Sequence, residues 1–224
     1  GVSEEGGLFI ITNFNMLDIA FHVDAVKGIH RISWEQIIKP GATVSTSEDS
    51  ISTGIVKLDN RLVIILDFEK IVSDINPETG LKISEIDDMG VRQRSNVPIL
   101  IAEDSVLLNK LIVDSLKKAG YDNLIHTQNG QEAYDVIQAC KADGTLKDHV
   151  QCVITDIEMP LMDGHRLTKL IKSDDETKDI PVVIFSSLVN DEMKRKGEAL
   201  GADAQLSKPE IANLVRIIDD LVKK

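Results

Sequence analysis

Residues 97–105 read V-P-I-L-I-A-E-D-S: a short apolar run, then two acids and a serine. An unbroken apolar run of this length between polar flanks fits a strand buried on both faces better than a half-exposed one. Ser105 stands where a helix N-cap is needed and Gly120 where a helix would stop, so a helix is expected up to Ala119. The same grammar recurs downstream. NLIHTQ (123–128) predicts a strand and 130–142 a helix. VQCVITD (150–156) is followed by a helix over 164–173, and IPVVIFSS (180–187) by one near 190–199. ADAQLS (202–207) predicts the fifth strand and 210–223 the last helix. Five strand–helix units in succession predict an α/β fold with an open, doubly wound, five-stranded parallel sheet. Right-handed crossovers then put helices on both faces.

Upstream, the pattern is different. LFIIT (8–12), LDIAFHVDAV (17–26), STGIVKL (52–58) and RLVIILDF (61–68) are short β-type runs. Asp59-Asn60 is a tight-turn signal, which predicts a hairpin over 52–68. Polar, turn-rich material such as 39–50 separates the other runs. Together they predict part of a small β-barrel or sandwich. Residues 76–95 lack an apolar period and read as a linker. The expected organisation is a β domain over 1–75, a linker over 76–95 and an α/β domain over 96–224.

The 224 residues are 42% hydrophobic and 28% charged, a globular balance. No apolar stretch is long enough to predict a membrane span, and no signal peptide is evident at the start. Two cysteines give no disulfide framework and suggest a reducing compartment. A formal net charge of −12 repels phosphate backbones, and 4% aromatics is thin for base stacking, so nucleic acid is disfavoured as a partner. The five histidines show no metal-ligand spacing. Trp34 is a candidate contact residue, though packing explains a single tryptophan as well.

In doubly wound sheets, function collects at the carboxyl ends of the strands. Glu103 and Asp104 follow the first strand of the second half, Asp156 the third, Ser186 and Ser187 the fourth, and Lys208-Pro209 the fifth. Three carboxylates brought together repel one another. A hard divalent cation removes that difficulty, and Mg²⁺ binds a few carboxylate and carbonyl oxygens while leaving room for phosphate. An aspartate can act as a nucleophile toward phosphorus, an ammonium can hold a phosphoryl group as a point charge, and a hydroxyl can donate to it. Taken singly, each residue is explained as well by capping or solvation. The joint pattern over four strands is not.

That pattern resembles the receiver domain of two-component response regulators. ILIAEDS (99–105) resembles the family's acidic-pair strand and ITDIEMPLMDG (154–164) its phosphoacceptor segment. VVIFSS (182–187) and LSKP (206–209) resemble its hydroxyl and lysine segments. Ser186 follows Asp156 by 30 positions and Lys208 follows Ser186 by 22, both typical of that family. The resemblance implies a flavodoxin-like sheet, Asp156 as phosphoacceptor, Ser186 as switch hydroxyl and Lys208 as the lysine of the site. It implies Mg²⁺ held by Asp104, Asp156, Glu103 and the backbone carbonyl of Glu158, and a cis peptide before Pro209. Three departures stand out. Glu103 replaces the commoner aspartate. Gln205 stands where an aromatic switch residue is usual. Asp104 and Asp156 lie 52 positions apart, with the extra residues expected around 141–150.

The first part resembles the later portion of a CheW-like coupling domain. LDIAFHVDAVKGIHRISWEQIIKPG (17–41) fits its V-D-x-V element, and STGIVKLDNRLVIILDFEKIV (52–72) its late hairpin and terminal helix. A coupling domain before a receiver is the order of CheV-type chemotaxis proteins. The resemblance implies a partial coupling domain and a cytoplasmic signalling protein. It implies a chemotaxis histidine kinase and chemoreceptors as partners, no membrane insertion, and no turnover chemistry. Two rivals are an aspartate-nucleophile phosphohydrolase, for which Asp156-Ile157-Glu158 is the nearest match, and a scaffold whose receiver merely drains phosphoryl groups.

Overall fold

β-branched and aromatic runs in the first part pair as antiparallel strands in the computed structural model. The structure describes residues 7–14, 17–33, 36–38, 51–58, 61–75, 86, 90, 92–187, 191–208 and 210–222. Trp34, the polar stretch 39–50, the Asp59-Asn60 turn, Pro209 and most of 76–95 lie outside these residues. The chain divides into two compact units, Gly1–Thr79 and Gly80–Lys224.

In the first unit, β1 (Leu8–Phe14) pairs with β2 (Leu17–Val23) along its full length. A second sheet has the order β3-β4-β5, with β3 at Ile37–Ile38, β4 at Ser52–Leu58 and β5 at Arg61–Leu66. Gly54 sits at an irregularity in the β4–β5 register. A Cβ there would come within 2.4 Å of the Ile37 side chain, so only glycine lets β3 close on β4. Helix α1 (Phe68–Ile75) follows, and the Lys70 N–H donates to the Asp67 carboxylate at 2.9 Å. The short strand β3 was not singled out in the sequence. A two-residue strand has no period of its own and is defined only by its partner.

The second unit follows the expected alternation. It runs β6 (Ile99–Ala102), α2 (Val106–Lys118), β7 (Leu124–Thr127), α3 (Gly130–Ala142) and α4 (Leu146–His149). It continues with β8 (Cys152–Thr155), α5 (Gly164–Lys172), β9 (Val182–Ser186), α6 (Asp191–Ala199), β10 (Ala204–Ser207) and α7 (Ile211–Val222). The sheet order is β10-β9-β8-β6-β7, and every pairing is parallel. The small helix α4 occupies the 141–150 insertion.

The period of two along each strand sorts its side chains to two faces. Ile99 and Ile101 of β6, with Ile154, Val183 and Phe185, pack against Ile112 and Leu116 of α2 and Leu214 and Ile218 of α7. Leu100 and Ala102, with Val153 and Val182, pack on the other side against Ile137 of α3 and Leu167 and Ile171 of α5. β6, β8 and β9 are buried at every position, which is why they read as continuous apolar runs. Each buried Val, Leu, Ile or Phe among them contributes about 1.5–3 kcal/mol on leaving water.

The helix starts are set locally. Ser105 accepts from the Leu108 N–H, Asn129 from that of Glu132 and Asp163 from that of Arg166. Glu132 also reaches back to the Gln128 N–H at 2.9 Å. The described residues ahead of β6 are built into this unit. Ile86 is buried in the α2–α7 core, and Ser95 bridges to Tyr121. The Arg92 guanidinium grips the Asp219 carboxylate with both oxygens in reach and donates through Nε to the Ala119 carbonyl at 2.7 Å.

Candidate functional site

The parallel register brings the predicted residues to one edge of the second sheet. Thr155 pairs with Ala102 on one side and with Ile184 on the other, so Asp156, Glu103 and the end of β9 emerge together. Ser186 pairs with Ser207, which places Lys208 just past it, and the Lys208 N–H donates to the Ser186 carbonyl at 3.3 Å. Backbone bonds fix the edge: Asp156 N–H donates to Ala102 and Glu103 N–H to Thr127.

One oxygen of each of Glu103, Asp104 and Asp156 lies within 4.8 Å of the others. Glu103 and Asp156 are buried, at 2% and 6% exposure, and Asp104 is half-buried. The Lys208 ammonium, 4% exposed, sits 2.8 Å from Asp156 Oδ2 and 3.1 Å from Glu103 Oε2. Ser186, the last residue of β9, and Ser187 are also buried. Glu158 lies in the loop after Asp156 with its side chain exposed.

The loop that carries Asp156 is tightly made. The Ile157 N–H donates to Asp156 Oδ1 at 2.6 Å, and the Thr155 hydroxyl donates to the Asp156 carbonyl at 2.9 Å. A Cβ on Gly164 would lie 1.9 Å from that same carbonyl oxygen, so glycine is required where α5 begins against the site. Leu161 takes a left-handed φ of 64° and stands exposed at the rim. The start of a helix at 164 was legible in the sequence. The closeness of Gly164 to Asp156 and the Thr155 bond were not, because neither has a sequence signal beyond residue type.

The donor set fits a divalent cation. Three carboxylates converge there, two of them buried, and a cluster of oxygen donors of this kind suits a hard, oxygen-seeking cation. Asp104, Asp156 and Glu103 are the side chains positioned to supply it. Cys152, on β8, is no rival nucleophile: burial pushes its thiol up to about 12. His165, at the start of α5, is also buried. Burial first, then the Lys196 charge, lowers its pKa, and Asp163 and the Met193 backbone act against that shift.

Comparison with known proteins agrees with this geometry. The response regulator receiver domain family matches residues 99–219, and the CheW-like domain family matches residues 2–76. CheV2 of Helicobacter pylori is 31% identical over 231 residues, covering 100% of this chain and 68% of that protein. The chain belongs to the CheV-type chemotaxis proteins. CheV3 of the same organism is 26% identical over 225 residues, covering 99% of this chain and 71% of its own. A crystal structure of a candidate response regulator from Chloroflexus aurantiacus superposes with a TM-score of 0.51 at 24% identity, over 58% of this chain and all of that one, which speaks to the fold. This CheV-type chain therefore joins a CheW-like coupling domain to a flavodoxin-like receiver. Among the described residues, no helix is long and apolar enough to cross a membrane.

Proposed function

We propose that Asp156 accepts a phosphoryl group from the phosphohistidine of a chemotaxis kinase, and that its charge state modulates the coupling of chemoreceptors to that kinase by the first unit. The observation that carries this reading is the buried Lys208 ammonium placed between Asp156 and Glu103 at one sheet edge. An Asp156 oxygen attacks phosphorus, the N–P bond of the donor breaks, and the released imidazole nitrogen takes a proton from solvent. Lys208 offsets charge on the transferred group, and the Ser186 hydroxyl donates to one of its oxygens. When bound by Asp104, Asp156, Glu103 and the Glu158 carbonyl, Mg²⁺ would neutralise the carboxylates and the phosphoryl oxygens.

The added charge then biases two arrangements of the receiver. The protein modifies itself and turns over no separate substrate. Its partners on this reading are a cytoplasmic histidine kinase and the cytoplasmic ends of chemoreceptors. A kinase carrying labelled phosphohistidine, mixed with the full chain and Mg²⁺, should pass label to the native protein and not to Asp156→Asn. Label passing equally to both would overturn the assignment. Receptor–kinase coupling that is the same with and without phosphorylation would reduce the protein to a phosphoryl sink.

A further inference from the structure

Among the described residues of the second unit, two large apolar side chains stand exposed, Val106 at 77% and Leu161 at 63%. Both adjoin the acidic site. Val106 opens α2 two positions after Asp104, and Leu161 follows Asp156 by five. They therefore belong to the carboxyl ends of β6 and β8, which pair with each other. The Ser105 N–H, just before Val106, donates to Glu103 Oε1 at 3.1 Å, so the start of α2 is tied to the site. A single exposed apolar residue needs no explanation. Two confined to the edge that carries the carboxylates do.

Leu161 is also the one non-glycine residue among the described ones with a left-handed φ. The Met162 N–H donates to the Pro160 carbonyl at 2.7 Å, which closes a three-residue γ-turn centred on Leu161. With a positive φ this turn is the rare, strained form, and the left-handed backbone crowds Cβ against the following carbonyl. The surroundings impose it. Met159 and Met162 are buried in the core beneath α3 and α5. The Met162 carbonyl accepts from the Gly130 N–H at 3.1 Å, and a Cβ on Gly130 would lie 2.6 Å from that oxygen. On this backbone, glycine or asparagine would fit position 161 with less strain. Leucine adds strain and gains little burial. Folding does not explain the side chain, and a contact made with another molecule does.

We propose that Leu161, with Val106, is a specificity residue that recognises the protein carrying the phosphohistidine by seating on an apolar patch of its surface. This rests on the phosphoacceptor reading above. The chemistry names the occupant. Attack by Asp156 brings the donor imidazole to this strand edge, and the protein surface around that imidazole then lies over the exposed side chains there. Glu158 and Asp163, exposed in the same loop as Leu161, add negative charge. The complementary surface is therefore apolar with basic side chains beside it. A small donor such as acetyl phosphate reaches Asp156 without covering the rim.

The test compares two donors on the full chain with Mg²⁺: a chemotaxis histidine kinase labelled on its histidine, and labelled acetyl phosphate. Leu161→Asn tolerates the left-handed turn and removes the apolar side chain, so its unfolding midpoint in urea should not fall. With the kinase, the concentration giving half-maximal transfer should rise about tenfold, worth about 1.4 kcal/mol, while the maximal rate stays near native. Val106→Ser should move the same way. Leu161→Met keeps an apolar contact and should transfer like the native chain. Label from acetyl phosphate should enter all of them at the native rate. Native transfer from the kinase to Leu161→Asn would overturn the docking role. Equal losses with both donors would overturn it too, since Leu161 would then act on the site itself. Native protein that takes label from neither donor overturns the phosphoacceptor reading, and the docking role falls with it.

Discussion

Strands β5 and β9 are built from similar letters and end in different surroundings. RLVIIL of β5 leaves Leu62 at 73%, Ile64 at 59% and Leu66 at 41% exposure. VVIFS of β9 is buried at all five positions. Strand propensity is therefore a local property, whereas burial is decided by what covers each face. In the receiver, parallel crossovers force helices over both faces of the sheet. In the coupling unit, the antiparallel strands leave Phe9, Ile11 and Leu62 exposed.

This contrast can be broken by paired truncations. Phe185→Ala should destabilise the receiver by about 3–5 kcal/mol in urea unfolding. Leu62→Ala should change stability by no more than about 0.5 kcal/mol. Equal losses would mean that β5 is as enclosed as β9. Next in size is Lys208→Ala, which should cut phosphoryl uptake by about 10²-fold in initial-rate labelling, with far-UV circular dichroism unchanged. A comparable drop from any exposed lysine of the coupling unit would remove the distinction between the two regions.

Gly164→Ala forces a methyl against the Asp156 carbonyl and should cost about 1–3 kcal/mol while slowing labelling. Gly28, whose φ is 145° with nothing within 4 Å of an added Cβ, would pay only in local backbone strain. The smallest effect concerns pH. Burial lowers the pKa of His165 in the fold, so the folded state holds its proton less tightly than the unfolded chain, whose histidine titrates near pH 6.5. Below that pH the unfolded state binds more protons, so receiver stability should fall as pH drops from 6.5, and His165→Leu should flatten the slope. An unchanged slope would place His165 in contact with water.

The receiver was legible because its signals are local. Apolar runs and the cap at Ser105 sit within a few residues of the element they specify, and Asp156, Ser186 and Lys208 each stand at or just past the end of their own strand. Helix α3 spans the expected 130–142. What escaped depends on distant partners. Arg92 meets Asp219 across 127 positions, so nothing in the sequence near Arg92 shows that its side chain packs on the last helix. β3 exists only through β4. In the coupling unit the strands were visible, but alternation alone did not say which faces would be covered.

The most direct measurement is phosphorylation of the full chain by acetyl phosphate, with the modified residue located by peptide mapping. Native protein should carry the label on Asp156 in Mg²⁺ and lose it when EDTA is added first, and Asp156→Asn should stay unlabelled. Label of equal extent on Asp156→Asn, or label indifferent to the metal, would contradict a phosphoacceptor at the edge of this sheet.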